Sequence, residues 1–415
     1  MTDRVPRARP DLQPDLELDV GPVAAGGHCV ARHEGRVVFV RHALPGERVR
    51  ARVTEDAGRY LRADAVEIHT PSPERVEAPC PHAGPGRCGG CDWQHASAAA
   101  QRMMKADVVR EAFRRIGGLS TVDVEVAEVP GGLLRWRTRG QFAVDRRGRI
   151  GLRQHRSHAI EPIDSCPLMT RAAGSALDTV DAPPPGSTVE VAASAAGETA
   201  VDVRRGRRRR AAGAPLHEQA AGRAWQVHSG AFWQVHPAAA DTLARCVLEL
   251  AAPREGEWAL DLYAGAGLLG GVLAPRLGPL GRVVCVEIDP VAAQDARANL
   301  AAFARADVLQ SAVSAEVVAA LPGTALSGSH RATGEPAGIV VLDPPRAGTG
   351  PDVMRAVIGL RPRAMVYVSC DAATLARDVR VASDAGWRLV MIRAFDVFPM
   401  TQQIECVALL TAAGR

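Results

Sequence analysis

The sequence predicts a multidomain α/β protein. Its C-terminal part reads as a doubly wound, mostly parallel sheet, behind a small β-barrel and a β-rich middle. Three observations predict this. Helical and strand patterns alternate from about residue 240. Short runs between residues 15 and 70 alternate apolar and polar side chains at period two. Residues 122–230 are strand-rich and broken by polar turns such as "VDRRGRIG" and "ASAAGET". At 415 residues the chain is too long for one ordinary core. The texture divides it into 1–72, 73–230 and 231–415.

Composition bounds the function. The chain is 47% apolar and 23% charged, as expected for a soluble globular protein. It has no apolar run of about eighteen residues, so no membrane span is expected. The N-terminal "MTDRVPRARPDLQPDLELDV" mixes acids with arginines and lacks an apolar signal core, so the chain reads as cytoplasmic. In that reducing setting, clustered members of its nine cysteines point to metal or catalysis before disulfides. The net charge of +4 does not by itself announce a nucleic-acid binder. Lys105 is the only lysine. An arginine excess suits bidentate phosphate contacts, and genome composition explains it equally well.

Taken in order, "GRVVFVRHALPGERVRARVTED" is a strand, a turn at Pro45-Gly46 and an alternating strand, which suits a barrel of the OB type. Arg48, Arg50, Arg52 and Arg62 either meet phosphates or form a solvated face. The loop "APCPHAGPGRCGGCDW" then spaces cysteines as C-x7-C-x2-C. A helix follows over about 97–116, closed by Gly117-Gly118. The arginine block at 203–213 reads as a basic hairpin tip or a solvated loop. "WQVH" occurs twice between 225 and 236, and we read that as chance.

In the C-terminal part, "LDLYAGAGLLGG" places an acid and a Gly-x-Gly at a strand's end, where glycine lets backbone approach a ligand. The next strand ends in Glu287, placed to accept from ribose hydroxyls, and a third ends in "VLDPPRAG". Such an ordered set fits a nucleoside cofactor along one sheet edge. No phosphate-cradling sequence follows, which favours S-adenosylmethionine over NAD. "YVSCDAATLARDV" ends another strand with Cys370 on the same edge, and the helix after it is expected to favour a thiolate. Arg346 reads as an RNA-phosphate contact or a loop cap.

At this point the chain resembles the RNA uracil-5-methyltransferases. "DLYAGAG", "VEIDP", "VVLDPPRAG", "YVSCD" and "FPMTQQIECVALL" follow that family's order, and the resemblance spans nearly the whole chain. "GRVVFVRHALPGERV" is similar to the TRAM module, an OB-like RNA-binding barrel, of its 23S rRNA members. The cysteine loop is similar to their iron–sulfur loop, and "IDSCPLM" to its distant fourth ligand. The resemblance implies a Rossmann-like methyltransferase domain at 231–415 behind a TRAM barrel and a central iron–sulfur domain. The helix near 97–116 is expected to pack on the methyltransferase domain.

The implied chemistry explains the residue types. Carbon 5 of uracil is a poor nucleophile. The thiolate matching Cys370 adds to carbon 6 and makes an enolate, and carbon 5 then takes the methyl group. The carboxylate matching Glu405 removes the carbon 5 proton so that the thiolate leaves. The family's cofactor contacts correspond to Gln234, Tyr263, Glu287 and Asp343, with Asp307 also matched, and Gly265 and Gly267 shape the turn. Phe232 corresponds to an aromatic that stacks on the extruded base. Three departures stand out: Leu268 and His236 replace cofactor-binding asparagines of some members, and "FPMTQQIE" replaces a His-Thr-Gly-His stretch before the glutamate.

Three loop cysteines need a fourth donor, and Cys166 is the candidate. Spacing alone leaves iron and zinc both open for a Cys₄ set. The resemblance implies that Cys80, Cys88, Cys91 and Cys166 hold a [4Fe-4S] cluster of structural role. Cys246 and Cys285 read as core, Cys29 as barrel, and Cys406 as facing away from Glu405. The expected function is methylation of carbon 5 of an RNA uridine, in 23S rRNA or else in tRNA, by a monomer. The alternatives are an RNA cytosine-5-methyltransferase, in whose DNA counterparts proline precedes the nucleophile where Ser369 stands here, and a non-catalytic RNA-binding iron–sulfur protein. A small-molecule methyltransferase needs no N-terminal barrel.

Overall fold

A computed structural model of the chain describes residues 15–206, 213–321 and 338–413. In chain order it contains β1 (Leu16–Asp19), β2 (Cys29–His33), β3 (Arg36–Arg41), β4 (Arg48–Asp56) and β5 (Tyr60–Thr70). Helix α1 (Ala98–Ala112) runs into a π-turn (Phe113–Gly117). Then come β6 (Val126–Glu128), β7 (Arg139–Val144), β8 (Ile150–Arg153), β9 (Ile160–Pro162), α2 (Arg171–Asp178), β10 (Ser187–Ala193), β11 (Thr199–Arg205), β12 (Pro215–Ala220) and β13 (Arg223–His228). From α3 (Ala239–Ala251) strands and helices alternate: β14 (Trp258–Leu262), α4 (Leu268–Leu273), β15 (Arg282–Glu287), α5 (Pro290–Leu300), β16 (Ala306–Gln310) and α6 (Ala315–Ala320). The chain ends with β17 (Ile339–Leu342), α7 (Pro351–Gly359), β18 (Ala364–Ser369), α8 (Ala372–Asp384), β19 (Trp387–Asp396) and β20 (Glu405–Ala412). Of the arginine block at 203–213, residues 207–212 lie outside the described residues.

The chain forms two compact units. The first comprises Met1–Val108, Ile150–Asp164 and Phe398–Gln402, and the second Val109–Arg149, Ser165–Val397 and Gln403–Arg415.

In the first unit, β1 to β5 make one sheet in the order β1-β4-β5-β3-β2. The period-two pattern of the sequence sends Leu18, Val38, Val40, Val49 and Ala63 into a shared core. The turn before β4 uses Gly46 in the left-handed region, φ 84°. The candidate arginines divide. Arg50 pairs with Glu67 at 2.6 Å and with Asp15, and Arg52 reaches Asp15 at 3.3 Å. Arg62 pairs with Glu55 at 3.3 Å and lies over the rings of Phe39 and Tyr60. These three balance acids of their own barrel, and Arg48 stands exposed.

In the second unit an eight-stranded sheet runs β16-β15-β14-β17-β18-β20-β19-β6. Strands β14 to β18 pair in parallel, and β20 inserts antiparallel between β18 and β19. β17 and β18 are buried at every position, as a sheet covered on both faces requires. The doubly wound fold read from the sequence is therefore the fold observed. From β14 the chain proceeds one way to β15 and later returns on the other side as β17. That reversal opens a crevice at the carboxyl ends of the strands. The π-turn ends at Gly118, φ 71°, whose N–H donates to the Phe113 carbonyl.

Candidate active site

The turn after β14 is built for close approach. Tyr263, Gly265 and Gly267 all take positive φ, at 67°, 54° and 84°. The amides of Tyr263 and Ala264 both donate to the Val286 carbonyl at 3.0 Å, which ties the turn to the end of β15. A Cβ on Gly267 would lie 3.2 Å from Ala296 of α5, so glycine is required there. Glu287 is pinned at the edge: its Oε2 accepts from the Gly265 amide at 2.8 Å and its Oε1 from the Asp289 amide at 2.7 Å. Each oxygen keeps a further lone pair.

Beneath the turn lies Asp261, which the sequence reading noted as an acid without giving it a role. It is fully buried, and its Oδ2 accepts from the Gly270 amide at 2.6 Å. Its Oδ1 has no partner. Burial, with the charge of Glu287 adding, pushes its pKa up to about 7. The folded pKa is above the unfolded one, so ionising this carboxyl as pH rises through the folded value costs stability. Asp261→Asn should therefore raise the melting temperature, most of all above neutral pH, while weakening cofactor binding. Thermal melts and calorimetric titration with S-adenosylmethionine check both. A lower melting temperature with unchanged binding would contradict the assignment.

Cys370 follows β18 and Glu405 opens β20. The β18–β20 register pairs Ser369 with Cys406; continued one step it would bring Cys370 beside Glu405, whose charge acts on the Cys370 thiol. Antiparallel partners sit about 5 Å apart. Glu405 is 3% exposed, and Cys370 is half-buried. Asp343, just past β17, donates its amide to the Leu262 carbonyl at 3.2 Å, beside the end of β14. Burial raises the pKa of both carboxyls, and each stands in a second negative field, Glu405 in that of Asp343 and Asp343 in that of Asp261. Arg346 opposes this rise at Glu405.

The expectation of a thiolate stabilised by the following helix is corrected here. Burial pushes the Cys370 thiol up to about 11, and the charges of Glu405, Asp343 and Asp371 add to the rise, with only Arg346 opposing. The helix start is already taken: Asp371 caps α8, its Oδ1 accepting from the Thr374 amide at 2.8 Å. A carboxylate thus occupies the end of the dipole that would otherwise favour the sulfur anion.

The remaining candidates divide. Phe232 is 63% exposed, while Gln234 two residues on is buried. Their loop is held by Arg139, which donates to the Ala231 carbonyl at 2.9 Å, and by Thr138, whose amide and hydroxyl both reach the Val235 carbonyl. Burial pushes the Tyr263 hydroxyl up to about 12 despite a hydrogen bond with Thr349. His236 is buried and stacks on Trp136 at 5.9 Å. Its Nδ1 accepts from the Ala238 amide, and burial lowers its pKa to about 4, so the ring is neutral. Leu268 is buried as the first residue of α4. Asp307 does not join the group. It pairs across β15 with Val284, short of the edge where Gln310 meets Glu287, and its carboxylate binds Arg282 at 3.1 Å.

Cys80, Cys88, Cys91 and Cys166 are half-buried. In the first unit the Cys88 sulfur accepts from the Gly90 amide at 3.4 Å and the Cys91 sulfur from Gln94 at 3.1 Å. A Cβ on Gly89 would meet the His155 amide nitrogen at 2.6 Å, so the loop needs glycine there. Among the described residues no group of three or more His, Cys, Asp or Glu side chains is arranged to hold a metal ion. No helix among them is long and apolar enough to cross a membrane.

A doubly wound sheet whose edge gathers a glycine turn and an acid on the next strand is the arrangement of nucleoside-cofactor folds, S-adenosylmethionine-dependent methyltransferases among them. Residues 219–413 match the family model described as tRNA (uracil-5-)-methyltransferase, and residues 16–66 match the TRAM domain. An RNA methyltransferase of Streptomyces avermitilis is 45% identical over 97% of this chain and 99% of its own length. One from Bifidobacterium longum is 34% identical over 98% of this chain and 99% of its own. The crystal structure of Pyrococcus abyssi tRNA (uracil-54, C5)-methyltransferase with S-adenosyl-L-homocysteine superposes with a TM-score of 0.67, at 23% identity, over 95% of this chain and 100% of that one. The chain belongs to the RNA (uracil-5-)-methyltransferase family and is an S-adenosylmethionine-dependent enzyme acting on RNA.

Proposed function

We propose that the enzyme methylates carbon 5 of a uridine through a covalent adduct on Cys370, with Glu405 as the base that resolves it. The observation that carries this reading is the placement of Cys370 beside Glu405 at the edge that also bears Glu287 and Asp343. Cys370 gives up its proton to solvent and its sulfur bonds to carbon 6, and the displaced π electron pair moves to the uracil carbonyl as an enolate. Carbon 5 then takes the methyl group, after which Glu405 takes the carbon 5 proton, the C–H electron pair re-forms the 5,6 double bond and the carbon–sulfur pair returns to Cys370. Burial suits Glu405 to the task, because a carboxylate of raised pKa is the stronger base once ionised. The exposed ring of Phe232 offers a stacking surface to a flipped base.

The residues present fit the cofactor. Asp261 offers an unpartnered buried oxygen and Glu287 two lone pairs. Gln234, Tyr263, Gly265, Gly267 and Asp343 line the same edge in our assignment. S-adenosylmethionine supplies an electrophilic methyl group on a sulfonium. A bound sulfonium would in turn favour the ionised forms of Asp261, Asp343 and Glu405, whose pKa values burial raises.

For the substrate we favour 23S rRNA, on the joint presence of the TRAM and cysteine-loop motifs. A tRNA substrate is the second reading, favoured by the description of the matched family model. Mapping 5-methyluridine in rRNA and tRNA from cells with and without the protein decides between them, and loss from neither overturns both. We assign a monomer working in the cytoplasm. RNA affinity should fall as a power of salt concentration, since phosphate contacts release counterions. Binding curves at several ionic strengths check this, and a flat response would contradict an arginine-based RNA surface.

Cys80, Cys88, Cys91 and Cys166 have the donor set of a [4Fe-4S] cluster, and the amide–sulfur hydrogen bonds on Cys88 and Cys91 suit thiolate ligands. The described side chains do not gather three donors, so the assignment rests on the sequence motif. Its role would be to brace the loop. Anaerobically prepared protein should carry iron and acid-labile sulfide, and chelation should lower its melting temperature. Zinc in their place would replace this assignment.

A further inference from the structure

A buried hydrogen-bond network lies behind the nucleophile. Asp378 sits about two turns along α8 from Cys370 and is fully buried. Its Oδ2 accepts from the Tyr367 hydroxyl at 2.7 Å and the Thr349 amide at 2.8 Å, with the Gly350 amide at 3.4 Å. Arg377 donates from Nε to Asp378 Oδ1 and from Nη2 to the Ala347 carbonyl, both at 2.9 Å. The Thr349 hydroxyl donates to the Tyr367 oxygen at 2.9 Å. A Cβ on Gly348, φ 73°, would lie 2.7 Å from Asp378 Oδ2 and 2.6 Å from Arg377 Nη2, so the loop packs flush on α8. The loop fixed in this way, 344–350, carries Arg346, and Asp343 lies at its root.

We propose that Asp378 is a positioning residue for the methyl transfer: it fastens the 344–350 loop to α8 and so holds Arg346 at Cys370. This deepens the reading of Cys370 as the nucleophile and rests on it. A charge helps its neighbour only while it is held near. The charges that act on the Cys370 thiol are those of Glu405 on β20, Asp343 and Arg346 around the loop and Asp371 at its own helix cap. Of these only Arg346 is positive. A loop released from α8 therefore leaves the sulfur among acids alone. The buried carboxylate is compensated by its hydroxyl, amide and guanidinium donors, and an amide in its place accepts fewer of them.

The test is the rate of Cys370 alkylation by iodoacetamide against pH, followed by peptide mass spectrometry on the full-length protein. Asp378→Asn should shift the titration upward and slow alkylation at neutral pH by about tenfold, one unit of thiol pKa. Arg346→Ala should do the same, and the double variant should be no slower than either single one, because both remove the same interaction. Tyr367→Phe, which deletes one hydroxyl, should give a smaller shift in the same direction in case Asp378→Asn folds poorly. An unchanged titration in Asp378→Asn or Tyr367→Phe overturns the proposal, as does a full further shift in the double variant. Failure of the underlying reading looks different: wild-type methylation by Cys370→Ala would remove the nucleophile itself, whatever Asp378 does.

Discussion

Replacing Cys370 with alanine should abolish methylation, lowering single-turnover rates by at least about a thousandfold, while S-adenosylmethionine still binds nearly as in the wild type. The size of the effect follows from the chemistry. Without a sulfur on carbon 6 there is no enolate, and carbon 5 stays too poor a nucleophile to displace a methyl group. No other thiol substitutes, because Cys406 is fully buried and burial raises its thiol far above the ordinary range. Binding should survive because the proposed cofactor contacts belong to other strands: the turn after β14, Glu287 at the end of β15 and Asp343 after β17. Methyl transfer to RNA and calorimetric titration of cofactor separate the two effects. Retained turnover would refute the adduct.

Glu405→Gln should do the opposite of stalling at the start: it should accumulate the adduct. Glutamine keeps the size and one acceptor of the side chain but cannot take a proton from carbon 5. The resolution step therefore stops. A denaturation-resistant protein–RNA band should therefore persist. Full turnover with no band would remove Glu405 as the base.

Much of this site was legible because its parts lie at strand ends, where local sequence carries the signal. The Gly-x-Gly after "LDLYA", Glu287 and Asp343 each close an apolar strand, and the alternation of βα units places those ends on one edge. Glu405 was legible only through resemblance, since no local pattern tells that the last strand inserts antiparallel beside β18. The state of the Cys370 thiol was not legible. A helix after a cysteine suggests a thiolate, but the Asp371 cap and the acids arriving from residues 343 and 405 reverse that field. Asp307 misled because an acid on a strand can serve either the edge or the sheet's interior, and here Arg282 claims it. Asp378 was invisible for a related reason: its partners Thr349 and Tyr367 lie far from it in sequence. Three of the four barrel arginines, read as possible phosphate contacts, found their partners on or just before neighbouring strands.

The most direct test uses RNA in which the target uridine carries fluorine at carbon 5. Fluorine cannot leave as a proton does, so a base cannot complete the resolution step once the methyl group has been transferred. With S-adenosylmethionine present, the account predicts stoichiometric trapping of enzyme, and digestion should return one peptide containing Cys370 joined to a methylated fluoropyrimidine nucleotide. Trapping on a different cysteine, or sustained release of product without any trapped enzyme, would contradict it.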